Sequence, residues 1–332
     1  MTDPPQTGES VHVVHVLEAT GGGSRKHVLL VTRALVRAGH TVDLVVSTRR
    51  ADPDFDEDLQ EYRELGCEVF VVDMTRLPGP GDWPVLRRVT GILRQRRPQV
   101  VHSHCGKAGF IARLAARRLG AAGPATVHTP HSYYFQAFAA AWKRRLAIGL
   151  ERFLSRRGRL FCISAAECET IRRHAIAPDE RIDLGANGLP ADFADHLPAR
   201  DEVRERFGLA ADTVAVGVFA RFVARKGHKW LLRAVQALPA NVRARVRLFF
   251  AGRGPEEAAV RARVQELGLV DHVEFCGYIP HAERLVPGMD IGIVPSFYEG
   301  LSYQLLETLS AGVPVVATDA SGNYFALPDN PI

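Results

Sequence analysis

Residues 11–47 read VHVVHVLEATGGGSRKHVLLVTRALVRAGHTVDLVVS. The apolar run 11–17 is a buried strand, and the loop Thr20-Gly21-Gly22-Gly23-Ser24 follows it. Val28, Leu29, Val31, Leu35 and Val36 then recur at helical spacing as far as Gly39, a usual helix stop. Residues 41–47 are the next strand. A strand, a glycine loop, a crossover helix and a second strand make a βαβ unit.

The alternation continues outward from it. Strands are expected at 69–72, 100–102, 126–128, 160–164 and 182–184, and helices at 83–96, 108–119, 138–154 and 165–174. Residues 188–200, rich in Pro, Asp and His, show no periodicity and read as a linker or the start of a second domain. A fresh alternation follows, with strands at 214–219, 247–251, 273–275, 291–294 and 315–317. Its helices are expected at 230–238, 255–267, 282–286 and 302–311. The fold class is α/β: two Rossmann-like parallel-sheet domains, 1–190 and 191–332. Ligands bind at the carboxyl ends of such strands. The expected site is therefore the cleft between the domains, lined by residues just after strands.

Composition supports this class. The 332 residues are 46% hydrophobic and 24% charged, which excludes collagen-like, disordered and disulfide-stapled chains. No run approaches the roughly 18–20 apolar residues of a membrane-spanning helix. The opening MTDPPQTGES lacks the apolar core of a signal peptide, so a cytoplasmic location is expected. The five cysteines form no C-x-x-C pair and read as reduced thiols. The net charge of +5 is unevenly spread. Residues 86–118 hold nine Arg or Lys and no acid, and 142–159 hold seven against Glu151 alone, while 52–64 is acidic. Such basic stretches are either solvated helix faces or surfaces for phosphates and anionic membranes.

Four constellations could carry chemistry. Gly21-Gly22-Gly23 could bring backbone amides to an anion. It misses the dinucleotide fingerprint, since Lys26 stands where the third glycine belongs, and an NAD site is not expected. Arg221 and Lys226, on the loop after the 214–219 strand, could clamp a diphosphate with a fork and a point charge. Glu299 and Glu307 straddle a strand-to-helix loop, eight residues apart. Eight residues of helix span about 12 Å, too far to share one proton, so they would hold hydroxyls at two ends of an extended ligand. Between them lie the amides of Gly300, Leu301, Ser302 and Tyr303, with Ser302 the expected N-cap. Leu301, Leu305, Leu306 and Leu309 are the expected buried stripe, with Glu307 pointing away from it. Finally, His128-Thr129-Pro130-His131 follows a strand. His131 reads as ligand-facing and His128 as structural, while His102 and His104, placed after the preceding strand, fit either role. No further carboxylate or His stands near enough in sequence to suggest a metal.

Together these residues resemble the family 4 retaining glycosyltransferases of the GT-B fold. The resemblance is carried by Gly21-Gly22-Gly23, His102-Ser103-His104 with Lys107-Ala108-Gly109, Thr129-Pro130-His131, Ile163-Ser164 and Asn187-Gly188. It continues in order through Arg221 with Lys226-Gly227, Ala251-Gly252-Arg253-Gly254, Phe275-Cys276-Gly277-Tyr278, the Glu-x7-Glu pair Glu299/Glu307, and Ala311-Gly312-Val313-Pro314-Val315. It implies a nucleotide-diphosphate sugar on the C-terminal domain and an acceptor domain before it. Glu307 would hold the ribose, Arg221 and Lys226 the diphosphate, and Tyr278 and Ile279 the base through their backbone. Glu299 with Gly300, Leu301 and Ser302 would hold the donor sugar. His131 would reach a sugar hydroxyl or the reacting centre, and Gly22 and Gly23 would face the phosphate and the acceptor. The resemblance implies no metal and no cofactor beyond the donor. It also implies a hexose-type sugar, a glycan or lipid-linked acceptor of cell-surface polysaccharide or glycolipid synthesis, and contact of the basic helices with the inner face of an anionic membrane. No nucleic acid is expected.

The family usually continues past Thr318-Asp319 with a glycine pair, a glutamate-bearing helix and further βα units. Here Gly322 stands for part of that motif and the chain stops at Ile332, so an incomplete second domain is expected. That leaves a non-catalytic nucleotide-sugar-binding protein, or an inactive truncated transferase, as an alternative. A GT-B sugar-nucleotide epimerase is a further one, distinguished by turnover of a sugar nucleotide without an acceptor.

Overall fold

The computed structural model of the chain describes residues 9–76, 79, 81–320 and 323. The first eight residues of the expected non-signal opening, and Gly322 with 324–332 of the expected short tail, lie outside the described residues. The chain divides into two units, Met1–Ala186 and Asn187–Ile332. The division falls four residues before the expected 190/191 boundary.

The first unit has seven strands: β1 (His12–Leu17), β2 (Thr41–Val46), β3 (Val69–Val71), β4 (Val100–His104), β5 (Ala125–Thr129), β6 (Arg159–Cys162) and β7 (Ile182–Leu184). They form one sheet in the order β3-β2-β1-β4-β5-β6-β7, with every pair parallel. Its helices are α1 (Gly23–Arg37), α2 (Phe55–Glu64), α3 (Asp82–Arg96), α4 (Cys105–Arg118), α5 (Ala141–Leu154) and α6 (Ala165–Arg173). Apolar residues of β1 face both ways into cores, Val14 and Val16 with α3 and α4, and Leu17 with α1 and α2. That double burial is why a parallel strand reads as one apolar run.

The second unit repeats the plan with β8 (Val214–Phe219), β9 (Val246–Ala251), β10 (Val273–Gly277), β11 (Ile291–Val294) and β12 (Val315–Ala317). Their order is β10-β9-β8-β11-β12, again all parallel. Around them run α7 (Arg200–Arg206), α8 (His228–Gln236), α9 (Ala240–Arg243), α10 (Glu257–Glu266) and α11 (Tyr303–Ser310). In both sheets the winding reverses beside the first strand, between β1 and β4 and between β8 and β11. Those are the topological switch points, where open sheets leave a crevice.

Several expected elements are corrected, and one is added: the acidic stretch 52–64, to which no element was assigned, forms α2, with Phe55, Leu59 and Tyr62 buried. Its acids meet α1, where Arg25 donates to both oxygens of Asp58 (2.6 and 2.7 Å) and Arg33 to Glu61. The 138–154 helix begins only at Ala141, after a 3-10 turn at Tyr134–Ala137. The segment expected as an α-helix at 282–286 is a 3-10 helix, Ala282–Gly288, because Pro287 lies inside it and cannot donate an α-helical bond. β4 runs on to His104, so His102 and His104 lie within the strand and not after it.

Candidate functional site

In the second unit, two loops leave the switch point side by side. One, from Ala220, ends at Gly227. The other runs from Pro295 to Ser302 and caps α11. They are fastened together: Phe297 N donates to Arg225 O at 2.8 Å. Gly227 adopts φ 70°, and a Cβ there would stand 1.9 Å from the carbonyl oxygen of Pro295. Only glycine allows both the left-handed turn and that approach.

The two loops converge on Glu299, whose side chain is 8% exposed. Its Oε1 accepts from Lys226 Nζ in a short ion pair and from Ser296 Oγ at 2.7 Å, and Arg225 Nη1 stands 3.5 Å from Oε2. Burial works to raise its pKa, but the two cations and the hydrogen bonds outweigh burial and hold the carboxyl below its ordinary value. Glu299 is thus an ionised acceptor at neutral pH and not an acid. Arg221 is exposed at the carboxyl end of β8. The structure therefore brings Lys226 and Glu299 into contact, which the sequence reading placed on separate parts of a ligand. It adds Arg225 and Ser296, which that reading did not single out.

Gly300, Leu301 and Ser302 are buried. Asn187 Nδ2 donates to Leu301 O at 2.8 Å and so ties the start of the second unit to this loop. Ser302 occupies the N-cap position of α11, but its side chain makes no capping bond. Glu307 does not point away from the buried face as expected: it is 7% exposed, beside buried Tyr303 and Leu305. Leu309 instead is 38% exposed, and Leu306 is half-buried. The helix packs against the 3-10 helix Ala282–Gly288 as well as against β11 and β12, so more than one of its faces is covered. Burial first, and then the charge of Glu307, raise the Tyr303 phenol well above its ordinary value. Past β10, the Arg253 guanidinium lies over the Tyr278 ring at 5.9 Å, and Ile279 packs against the cluster of Val203 and Leu285.

In the first unit, Gly22 and Gly23 are exposed at the start of α1. Gly22 takes φ 66° and ψ −149°, a region open essentially to glycine alone. Its N–H donates to Asp52 Oδ2 at 2.7 Å, so a protein carboxylate already occupies the amide expected to face an anion. Nearby, β1, β4 and the end of β5 gather histidines that are scattered in sequence. Register sets His15 opposite His102 and Leu17 opposite His104. His15 Nδ1 and His104 Nε2 share a hydrogen bond of 2.9 Å, and His104 Nδ1 and His131 Nε2 one of 3.2 Å. His102 Nε2 bonds Thr129 Oγ1 at 2.9 Å. Burial first, with mutual repulsion added, pushes His15 down to about 3 and His102, His104 and His131 well below 6.5. All four are neutral near pH 7. His128 is buried against Ser103, as its structural reading expected.

His131 and Ser132 both lie in the left-handed region, at φ 51° and 84°. What holds them there is Glu167, buried at the start of α6. Its two oxygens accept from Ser132 N at 2.5 Å and Ile163 N at 3.0 Å, and its own N–H donates to the cap Ser164 Oγ. The Ser164-x-x-Glu167 spacing is that of a capping box, a sequence signal that could have marked Glu167. His15 and His27 join the site only through strand pairing and the placement of α1.

Two family profiles match the chain. Residues 22–188 match the Glycosyl transferase 4-like domain, and residues 213–329 match Glycosyl transferases group 1. The Bacillus subtilis (strain 168) protein EpsF is 29% identical over 315 residues, covering 93% of this chain and 79% of EpsF. The UDP-Gal:alpha-D-GlcNAc-diphosphoundecaprenol alpha-1,3-galactosyltransferase of Escherichia coli is 23% identical, over 70% of this chain and 60% of that protein. Among solved structures, Anabaena HepE in complex with UDP and glucose superposes with a TM-score of 0.77 at 18% identity, covering 97% of this chain and 83% of HepE.

Proposed function

We propose a donor, a course of reaction and an acceptor class from one premise: the chain belongs to the GT-B glycosyltransferases that join a 4-like domain to a group 1 domain. The donor is a nucleoside-diphosphate hexose, held by the second unit at its β8/β11 switch point. One observation carries this reading, the half-buried Lys226–Glu299 pair held there between two interlocked loops. Lys226 and Arg221 meet the diphosphate and stabilise the charge that develops as it leaves. Ionised Glu299 and the amides of Gly300, Leu301 and Ser302 take the donor sugar's hydroxyls and phosphate. Glu307 takes the ribose hydroxyls, and the backbone of Tyr278 and Ile279 the base. The transfer retains anomeric configuration by front-face displacement, with the leaving phosphate accepting the acceptor's proton. Transfer needs no metal in this scheme, because the cationic side chains supply the positive charge. Neutral His131 contributes a hydrogen bond to a sugar hydroxyl, and Gly22 and Gly23 border the acceptor.

The acceptor is a glycan or a lipid-linked sugar. HepE was solved with UDP and glucose, and the E. coli relative is named for a diphosphoundecaprenol-linked acceptor. The first unit also exposes a basic and aromatic helix, α5, that suits the inner face of an anionic membrane. No described helix is long and apolar enough to cross one.

A panel of UDP-, GDP- and ADP-sugars, read by calorimetry, tests the donor site. Binding is expected to weaken at least about tenfold in Lys226→Ala and in Glu307→Ala, the scale of one lost charge-assisted contact. Unchanged affinity in both folded variants overturns the site assignment.

A further inference from the structure

The histidine cluster of the first unit contains more imidazole than a sugar contact requires. Two triads can each bring one ligand nitrogen per residue within 4.8 Å of one another: His15, His102 and His104, and His27, His104 and His131. The second comes from three separate elements, α1, β4 and the loop after β5. Its His104 and His131 nitrogens stand 3.2 Å apart. Two nitrogens bound tetrahedrally to one zinc ion at 2.0–2.1 Å lie about 3.3 Å apart, so this pair is already at ligand spacing. The His27 ring lies 4.7 Å from His131 and 5.5 Å from His104, centroid to centroid.

The surroundings are those of a built site. The remaining nitrogen of His104, Nε2, is bonded to buried His15, an outer partner of the kind that fixes tautomer and orientation in metal-bound histidines. On its far side, His15 Nε2 is buried without a hydrogen-bond partner among the described residues. The His131 loop is locked by Glu167 through Ser132 N. His131 is half-buried, while His27 and His104 are buried. An imidazole coordinates as the neutral ring, the form that burial favours. The triad has no carboxylate or thiolate, so its chemistry suits zinc and its late first-row neighbours and not magnesium or calcium.

We propose that His27, His104 and His131 bind one divalent late first-row transition ion, of the zinc class, at the β1/β4 switch point of the first unit. This site is independent of the donor reading, and it shares only His131 with the transfer scheme above. An ion there engages His131 and withdraws it from any sugar.

The untagged full chain, freed of metal, is titrated with Co(II) and then with Zn(II), with Mg(II) as the contrast. One Co(II) per chain is expected, with the visible absorption of a tetrahedral site, displaced by Zn(II) and untouched by Mg(II). X-ray absorption of the zinc-loaded wild-type chain should report three imidazole ligands. Affinity should fall at least about tenfold in His27→Gln and in His104→Gln, and stay unchanged in His196→Gln on the exposed surface. The proposal is overturned if the wild-type chain retains no ion on dialysis, if fewer than three imidazoles coordinate it, or if a folded His27→Gln variant binds as the wild type does. The first two readouts need no variant to fold.

Discussion

Glu167 carries a buried carboxyl that has two backbone N–H donors and, among the described residues, no ion-pair partner. Burial pushes its pKa up from 4.5 to about 7, and the two N–H groups only moderate the rise. Between those two pH values the folded chain binds more protons than the unfolded one. Its contribution to stability is therefore greatest below about pH 4.5, falls as pH rises to about 7, and stays at its lowest above that. The size of the fall is on the order of 3 kcal/mol. Glu167→Gln removes the titration while keeping one oxygen acceptor. Urea unfolding from pH 4.5 to 8 should show the wild type losing stability relative to the variant by that order across the window. Parallel curves for the two proteins would mean that the carboxyl under the His131 loop is ionised throughout. The residue's importance was legible only as a helix cap, because its second bond reaches a loop 35 residues earlier.

Elements show why some of this chain reads directly from sequence and some does not. Parallel strands are apolar on both faces, so β1, β2, β8 and β9 stand out as runs, and the glycine stops stand out beside them. Helix α2 was missed because charge dominates FDEDLQEYRE, although Phe55, Leu59 and Tyr62 recur at i, i+4 and i+7. Of the histidine cluster, His102, His104 and His131 stand out in sequence, but their meeting with His15 and His27 does not. It depends on the β1/β4 register and on the seating of α1, neither of which is a local property. The Gly227 turn lies between these cases: a glycine after a lysine is visible, but its contact with Pro295 is not. Gly227→Ala forces a side chain into the left-handed region and against a backbone oxygen, where nothing flexible can yield. A loss of about 2–3 kcal/mol is expected, seen as a lower melting temperature. Donor affinity should fall with it, because the clash separates the two loops that hold Lys226 against Glu299. A variant with wild-type melting and donor binding would show that the loops are not rigidly joined.

At the scale of the molecule, the basic excess belongs entirely to one unit. Through Ala186 there are 27 Lys or Arg against 20 Asp or Glu, and beyond it 15 against 17. Within the first unit, α5 exposes Trp142, Leu146 and Phe153 along one side, with Lys143, Arg144, Arg145 and Arg152 exposed around them. The one acid of that helix, Glu151, is buried against Arg113 at 2.8 Å, so the exposed face carries no negative charge. Aromatic rings at headgroup depth and cations above them are the two contributions that hold a helix in a membrane interface. Each cation near an anionic surface contributes about 1 kcal/mol, and salt screens that attraction over a Debye length of about 10 Å at 0.1 M. The chain should therefore float with vesicles containing anionic lipid at low salt, leave them at high salt, and ignore neutral vesicles. Reversing two charges in Arg144→Glu with Arg145→Glu should lower the bound fraction at least about tenfold. Trp142→Ala should weaken binding at both salts, because its contribution is apolar. Failure of the wild-type chain to float at low salt would remove the membrane from the proposed acceptor and leave a soluble glycan as the substrate to screen.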